Sequence, residues 1–441
     1  MNGLDPGPLL PMLRGLAERL LVKELPPVVM VRQQIKAPRL DDVEGAASDA
    51  VARVLAAAER RPGPLAVGVG SRGIANLEPI VRAAIAALKA AGWQPFVVPA
   101  MGSHGAATAE GQVAVLAGYG ITEERVGAPV RATMDTVVLG EAIPGVPWHV
   151  DRFAAEAGAC LLVARVKPHT SFRGPVESGP AKMCAIGLGN APGAQVMHTA
   201  GAAGLAARVP AAARLAERSG LLLGAVAIVE NQRDETALVR GLTAAEVGSE
   251  AESELLTRAR ELMPRIPFAE IDVLVVDRMG KDVSGTGMDT NVINRFRIVG
   301  QEESGSPLIQ AIAVMDLTER THGNAMGIGN ADYVPARLLA KVDLEALYTN
   351  SITAGQIAIE RPHLPMVLAD GRDAVRAAVS ACGRAPADTR LAWIHDTLHT
   401  ELMAVSPALL GEARALSLEV LGPPSRLPFD AEGELEPLLQ D

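Results

Sequence analysis

Aromatic residues are scarce: six Phe, three Trp and three Tyr, 3% of a 441-residue chain. A core with so few rings must close with small aliphatic side chains, which suits helices packed tightly on a sheet. Cysteine is nearly absent. Cys160, Cys184 and Cys382 stand far apart with no CxxC pair, so neither a disulfide framework nor a cysteine zinc site is implied. No run reaches the roughly 18 apolar residues that a spanning helix needs. The N-terminal stretch MNGLDPGPLLPMLRGLAERLLVKELPP has proline and acidic breaks where a signal peptide needs a basic start and an unbroken apolar core. The expectation is a cytoplasmic protein with no membrane partner. Net charge is −10 and no basic block occurs, so a nucleic-acid partner lacks its electrostatic footprint.

Hydrophobic residues make up 49%, enough for substantial cores, and the length calls for two domains. After a short N-terminal helix, VVMVRQQIK reads as a strand. Residues 43–60 have helical spacing and alanine-rich propensity. PLAVGVG is a buried strand ending in glycine. Residues 77–91 form a helix with Asn76 as its expected cap, and QPFVVPA is the next strand. This alternation predicts a parallel sheet with helices on its faces. Ligands bind outside the carboxyl ends of such strands, which places the loops GVGSRGIAN, AMGSHGAAT and VKPHTSFRG together. A fresh buried strand, IDVLVVDRMG, follows a polar, proline-bearing connector. The expected organisation is two α/β domains. Residues 1–268 form an N-terminal parallel-sheet domain. Residues 269–441 form a smaller C-terminal domain with a helical tail, and the site lies at the interface.

The chain has eight histidines, none in HExxH or HxH. His395 and His399 are four apart on an expected helix in WIHDTLHTEL, a spacing that fits either two metal ligands or, more simply, a solvated face. No carboxylate–histidine cluster has ordinary zinc or iron spacing, so a metal here needs most of its donors from elsewhere. His104 in MGSHGA and His169 in VKPHT both sit just after buried strands, where a histidine either caps a helix or moves protons. Arg72 in GSRG is either a surface arginine or a fork for a carboxylate or phosphate. Lys182, ahead of the apolar MCAIGLG, is either a surface lysine or a desolvated nucleophile. GVGSRG lacks the downstream acid of a dinucleotide fingerprint.

As a set, GSRGI, MGSHG, VKPHTSFRGPVESGPAKMCAIGLGN and VMH, followed by DRMGKDVSGTGMDTNVINR and MDLTERTHGNAMGIGNAD, resemble the nickel-pincer-nucleotide-dependent lactate racemase family. The resemblance runs from about residue 30 to 380, and its specific part is the order of histidine, histidine, lysine and histidine. It implies a pyridinium-3,5-bisthiocarboxylic acid mononucleotide that holds nickel through sulfur, ring carbon and sulfur. His198 would be the lone protein ligand of a square-planar site. The resemblance also implies thioamide attachment at Lys182, His104 and His169 as paired bases, and Arg72 on a substrate carboxylate. Ser71, Gly73, Lys167, Gly187 and Gly189 would surround the cofactor. Where the family has a substrate lysine in the second domain, this chain offers Arg295 or Arg297. The implied activity is racemisation or epimerisation of a 2-hydroxy acid by reversible hydride transfer, with cofactor-biosynthesis enzymes as partners. The alternatives are a nicotinamide-type oxidoreductase and a non-catalytic cofactor-binding protein.

Overall fold

The computed structural model describes residues 4–35, 37–70, 73–299, 303 and 305–439. The protein is α/β, in two compact units: Ala37–Met263, and a discontinuous one made of Met1–Lys36 with Pro264–Asp441. The division differs from the expected 1–268 and 269–441. The N-terminal helix α1 (Leu10–Leu20) and strand β1 (Val29–Arg32) belong with the C-terminal half. The reason is strand pairing, because β1 lies antiparallel between two C-terminal strands. The buried Gln33 fastens the join by donating to the Arg265 and Thr400 carbonyls at 3.0 and 2.5 Å.

The unit Ala37–Met263 starts with α2 (Val43–Ala56), whose cap Asp42 accepts from Gly45 N. Its sheet uses β2 (Pro64–Val69), β3 (Gln94–Pro99), β6 (Cys160–Arg165), β7 (Leu222–Glu230) and β8 (Thr236–Thr243), in the order β3-β2-β6-β7-β8. All neighbours are parallel except the β7–β8 pair. After its first residue β2 is continuously buried, as expected of a strand covered on both faces. A separate hairpin, β4 (Thr136–Ile143) and β5 (Val146–Asp151), precedes β6.

Helix α3 (Leu77–Ala90) buries Leu77, Ile80, Val81, Ala84, Ile85 and Leu88, a stripe at helical spacing that joins α2 and the sheet in one core. Asn76 precedes α3 but does not cap it with its side chain. It takes a left-handed backbone and donates from Nδ2 to Thr236 Oγ1 at 3.0 Å. Helix α4 (Ala109–Gly118) is capped by Thr108. Three further helices bear on the site: α5 (Asn190–His198), α6 (Gly201–Arg218) and α7 (Glu250–Leu262).

The other unit contains β9 (Glu270–Met279), β10 (Leu308–Leu317), β11 (Tyr333–Pro335), β12 (Met366–Leu368), β13 (Leu391–Ile394), β14 (Leu402–Val405) and β15 (Glu419–Val420). With β1 they form one mixed sheet, ordered β12-β11-β10-β9-β13-β14-β1-β15. Helix α8 (Gly371–Ala381) packs on it. The expected helical tail is instead mostly strand and turn. The four-residue run Leu391–Ile394 is wholly buried, and it inserts between β9 and β14. The segment after it cannot continue a helix, because Asp396 Oδ1 takes the amides of Leu398 and His399 in a tight turn. No described helix is long and apolar enough to cross a membrane.

Candidate active site

The loops that follow β2, β3 and β6 leave the sheet at one edge, the carboxyl end of its parallel strands. After β6 the chain makes an excursion closed by Lys167 and Ser178, whose amides and carbonyls pair at 3.0 and 3.2 Å. Inside it lies His169, which is buried. The fully buried Glu177 carboxylate accepts from His169 N at 2.6 Å and Gly174 N at 3.3 Å. Arg260 of α7 pairs with that carboxylate at 2.6 Å, and Arg173 is 3.5 Å from it. The loop is therefore held by its backbone, and the ring is left to other partners.

His169 Nδ1 accepts the Ser171 amide at 3.0 Å, and Nε2 meets Lys182 Nζ at 2.8 Å. A neutral imidazole that accepts at Nδ1 carries its proton on Nε2. In this contact Nε2–H is then the donor and the Lys182 amine is the acceptor, which is the form of lysine that has a nucleophilic lone pair. The ring also lies 4.6 Å from the Phe172 ring.

Lys182 is half-buried and ends a short turn, Pro180–Lys182. A π-helical turn, Met183–Gly187, runs on from it. Such irregular turns recur at functional sites. Burial holds the Cys184 thiol well above its ordinary range, so it stays protonated. Next comes α5, and His198 is its last residue. His198 Nδ1 donates to the Ala194 carbonyl at 2.6 Å, which leaves the lone pair on Nε2. Burial lowers the His198 pKa, and Lys182, when charged, pushes the same way. The ring is neutral at pH 7, as a metal-ligating imidazole must be. Arg208 of α6 steadies that end of α5, donating to the Val196 and Met197 carbonyls at 2.7 and 3.2 Å.

His104 lies in the loop after β3, half-buried, at the start of a 3-10 turn. Its loop rests on the lysine segment, with Gly102 N donating to Gly187 O at 3.1 Å. Ser71 and Arg72 lie outside the described residues. The stretch just beyond them is pinned: Gly73 O accepts from Arg165, and Ala75 N donates to Glu230 at 2.7 Å. Gly187 and Gly189 are buried against their own chain. A Cβ on Gly187 would lie 2.7 Å from the Ala100 carbonyl oxygen, and one on Gly189 2.9 Å from Gly193 Cα. Both glycines are needed for packing whatever else they contact.

Arg295 and Arg297 belong to the other compact unit. The chain leaves the carboxyl end of β9, then returns, so that both arginines sit by the amino ends of β10 and β11. Arg295 is buried and donates to Ile309 O, Gln310 O and Asn330 O, and it pairs with Asp332 at 2.6 Å. Arg297 also reaches Asp332, at 3.3 Å. These bonds give Arg295 a structural role. His395 and His399 are not on a helix. They flank the turn after β13, His395 Nδ1 at 3.1 Å from Asp277 and His399 Nδ1 at 2.8 Å from Asp396. Among the described residues no group of three or more His, Cys, Asp or Glu side chains could hold a metal ion.

Glu177, Arg260, Arg208 and Glu252, whose carboxylate grips Ala181 N, were missed by the sequence reading. Glu252 reaches Ala181 and Arg260 reaches Glu177 across long stretches of chain, and no local pattern marks any of the four.

No family model matches the chain, and no curated protein matches it in sequence. Among solved structures it is similar to the lactate racemase apoprotein from Thermoanaerobacterium thermosaccharolyticum, at 9% identity and a TM-score of 0.42 over 77% of this chain and 94% of that one. A likeness that slight does not bear on chemistry.

Proposed function

We propose that the protein is a racemase or epimerase of a 2-hydroxy acid that works with a nickel-pincer nucleotide. The observation that carries this reading is the grouping at one strand end. The Lys182 side chain, in contact with His169 Nε2, stands near a neutral imidazole whose Nε2 has no hydrogen-bond donor among the described residues. This donor set fits the cofactor. Lys182 would join its thiocarboxylate, and His198 Nε2 would supply the one protein bond to nickel. A square-planar N,S-ligated site suits Ni(II), and the missing ligand clusters then need no other account. When bound, the cofactor supplies hydride acceptance and return at the substrate α-carbon.

The chain's own residues do the rest. The imidazoles of His169 and His104 take and return the hydroxyl proton for the two enantiomers, His169 in the tautomer whose Nε2 has released the proton it shares with Lys182. Arg72 holds the carboxylate with a planar fork that fixes the substrate for attack. The Glu177 clamp keeps His169 from swinging away.

The test is expression beside the enzymes that make the cofactor, followed by stereochemical assay of a panel of 2-hydroxy acids. Interconversion of enantiomers with no net 2-oxo acid supports the reading. Stoichiometric 2-oxo acid with added nicotinamide cofactor favours an oxidoreductase. Cofactor binding with no turnover on any substrate leaves a binding protein.

A further inference from the structure

Helix α7 supports the two reactive loops at separate points. Glu252, near its start, is 1% exposed. Both its oxygens accept the Ala181 amide, at 3.1 and 3.3 Å, and Oε2 accepts Gly248 N at 2.8 Å. Arg260, near its end, holds Glu177 and through it the His169 amide. Positions 252 and 260 are about 12 Å apart along a helix axis. One rigid element therefore sets where the His169 backbone and the Lys182 turn lie relative to each other. Fit at the first point is close. A Cβ on Gly179 would fall 2.5 Å from Glu252 Oε1, so only glycine admits the carboxylate there.

Burying a carboxylate against amides alone is costly. Among the described residues Glu252 has no cationic partner, and burial pushes its carboxyl up to about 7 against the pull of the Gly248 and Ala181 amides. The titratable side chain that faces it is Cys184, which stays a thiol. A leucine would fill the space more cheaply but could not hold the Ala181 amide, the one immediately before Lys182.

We propose that Glu252 and Arg260 are positioning residues that keep Lys182 Nζ against His169 Nε2 and so keep the amine unprotonated and reactive. The proposal builds on the reading of Lys182 as a nucleophile, but its test needs neither cofactor nor turnover. Cofactor-free protein is treated with trinitrobenzenesulfonate across a pH series. Modification of Lys182 is followed by peptide mass spectrometry, with the exposed Lys89 as internal reference. Glu252→Gln and Arg260→Gln are compared with the parent. Arg258→Gln, on the same helix and, among the described residues, paired only with Glu261, is the control.

The expected result is a Lys182 midpoint in the parent below the ordinary lysine range. In both variants it rises by roughly one pH unit, which is about tenfold in reactive amine at pH 7. Lys89 and the control variant do not move. An unchanged Lys182 midpoint in folded Glu252→Gln and Arg260→Gln overturns the proposal, as does an equal change at every lysine. If Glu252→Gln does not fold, Arg260→Gln decides, since its side chain is 42% exposed and its loss leaves the core intact. Failure of racemisation would leave all of these outcomes readable.

Discussion

The loop after β6 and the turn after β13 use the same residue types at the end of a parallel strand, wired in opposite ways. After β6, the carboxylates of Glu177 and Glu252 hold main-chain amides, and the His169 ring faces an amine. After β13, Asp277 and Asp396 bind the imidazoles themselves, through Nδ1 of His395 and His399. A carboxylate on the backbone fixes where a ring stands and leaves its nitrogens to other partners, here the Ser171 amide and Lys182. A carboxylate on the ring occupies a ring nitrogen and ties the ring to structure. The electrostatics follow the wiring. Burial pushes Glu252 up to about 7. Burial would also raise Asp396, but the hydrogen bond and charge of His399 and the turn amides outweigh it and hold the carboxyl near about 2.

The sharpest way to break this contrast is to remove one histidine from each place. His169→Ala should slow racemisation by about 10²–10⁴-fold, the usual loss for a general base, while His399→Ala runs at nearly the parental rate. Initial rates from each enantiomer, with cofactor occupancy matched, are the check. Equal losses would mean that ring wiring does not separate chemistry from structure.

Arg295→Ala tests whether that arginine is structural. Removing one partner of a buried, hydrogen-bonded pair costs about 3–5 kcal/mol, so urea unfolding should show a large destabilisation. The rate per folded molecule should not change. A raised KM in a protein of parental stability would restore the substrate role expected from the sequence.

The two buried carboxylates should give pH dependences of opposite sign. Folded Glu252 keeps its proton to about 7, whereas its ordinary value is 4.5. Between those values the folded state binds the extra proton, so its stability falls as pH rises. Glu252→Gln cannot ionise and escapes that fall. Relative to the parent it should gain roughly 3 kcal/mol between pH 4 and pH 8, whatever constant cost its lost hydrogen bonds impose. Asp396 is the reverse case. Its carboxyl moves from 3.8 to about 2, so its contribution is complete above the unfolded value and is lost as pH falls toward about 2. Asp396→Asn should therefore cost roughly 2 kcal/mol at pH 6, with a smaller difference at pH 3. Denaturant titrations at each pH measure both, and equal slopes for the two variants would remove the contrast.

The strands that carry the candidate site could be read from the chain, because buried runs ending in glycine loops are local signals. The buried run ACLLVA marked the strand that ends just before His169, and PLAVGVG marked a strand that lies beside it in the parallel order β3, β2 and β6. What could not be read was long-range. Glu252 and Ala181 are 71 positions apart, and Arg260 and Glu177 are 83 apart. Periodicity reports which face of α7 is buried and nothing about which amide a buried carboxylate will meet. VMVR was legible as a strand, but its partners Leu402–Val405 lie at the other end of the sequence. The four-residue spacing of His395 and His399 suggested a helix only because the Asp396 turn happens to reproduce the interval.

The central claim is that His198 Nε2 and Lys182 Nζ hold one and the same cofactor, and nickel analysis with peptide mapping tests it most directly. Protein made beside the cofactor-biosynthesis enzymes should carry about one nickel per chain and an adduct confined to Lys182. His198→Ala should lose the nickel, keep the Lys182 adduct and stay folded, because Nε2 is the nitrogen left unbonded by the Ala194 contact. Stoichiometric nickel in His198→Ala, or an adduct that persists in Lys182→Ala, would contradict it.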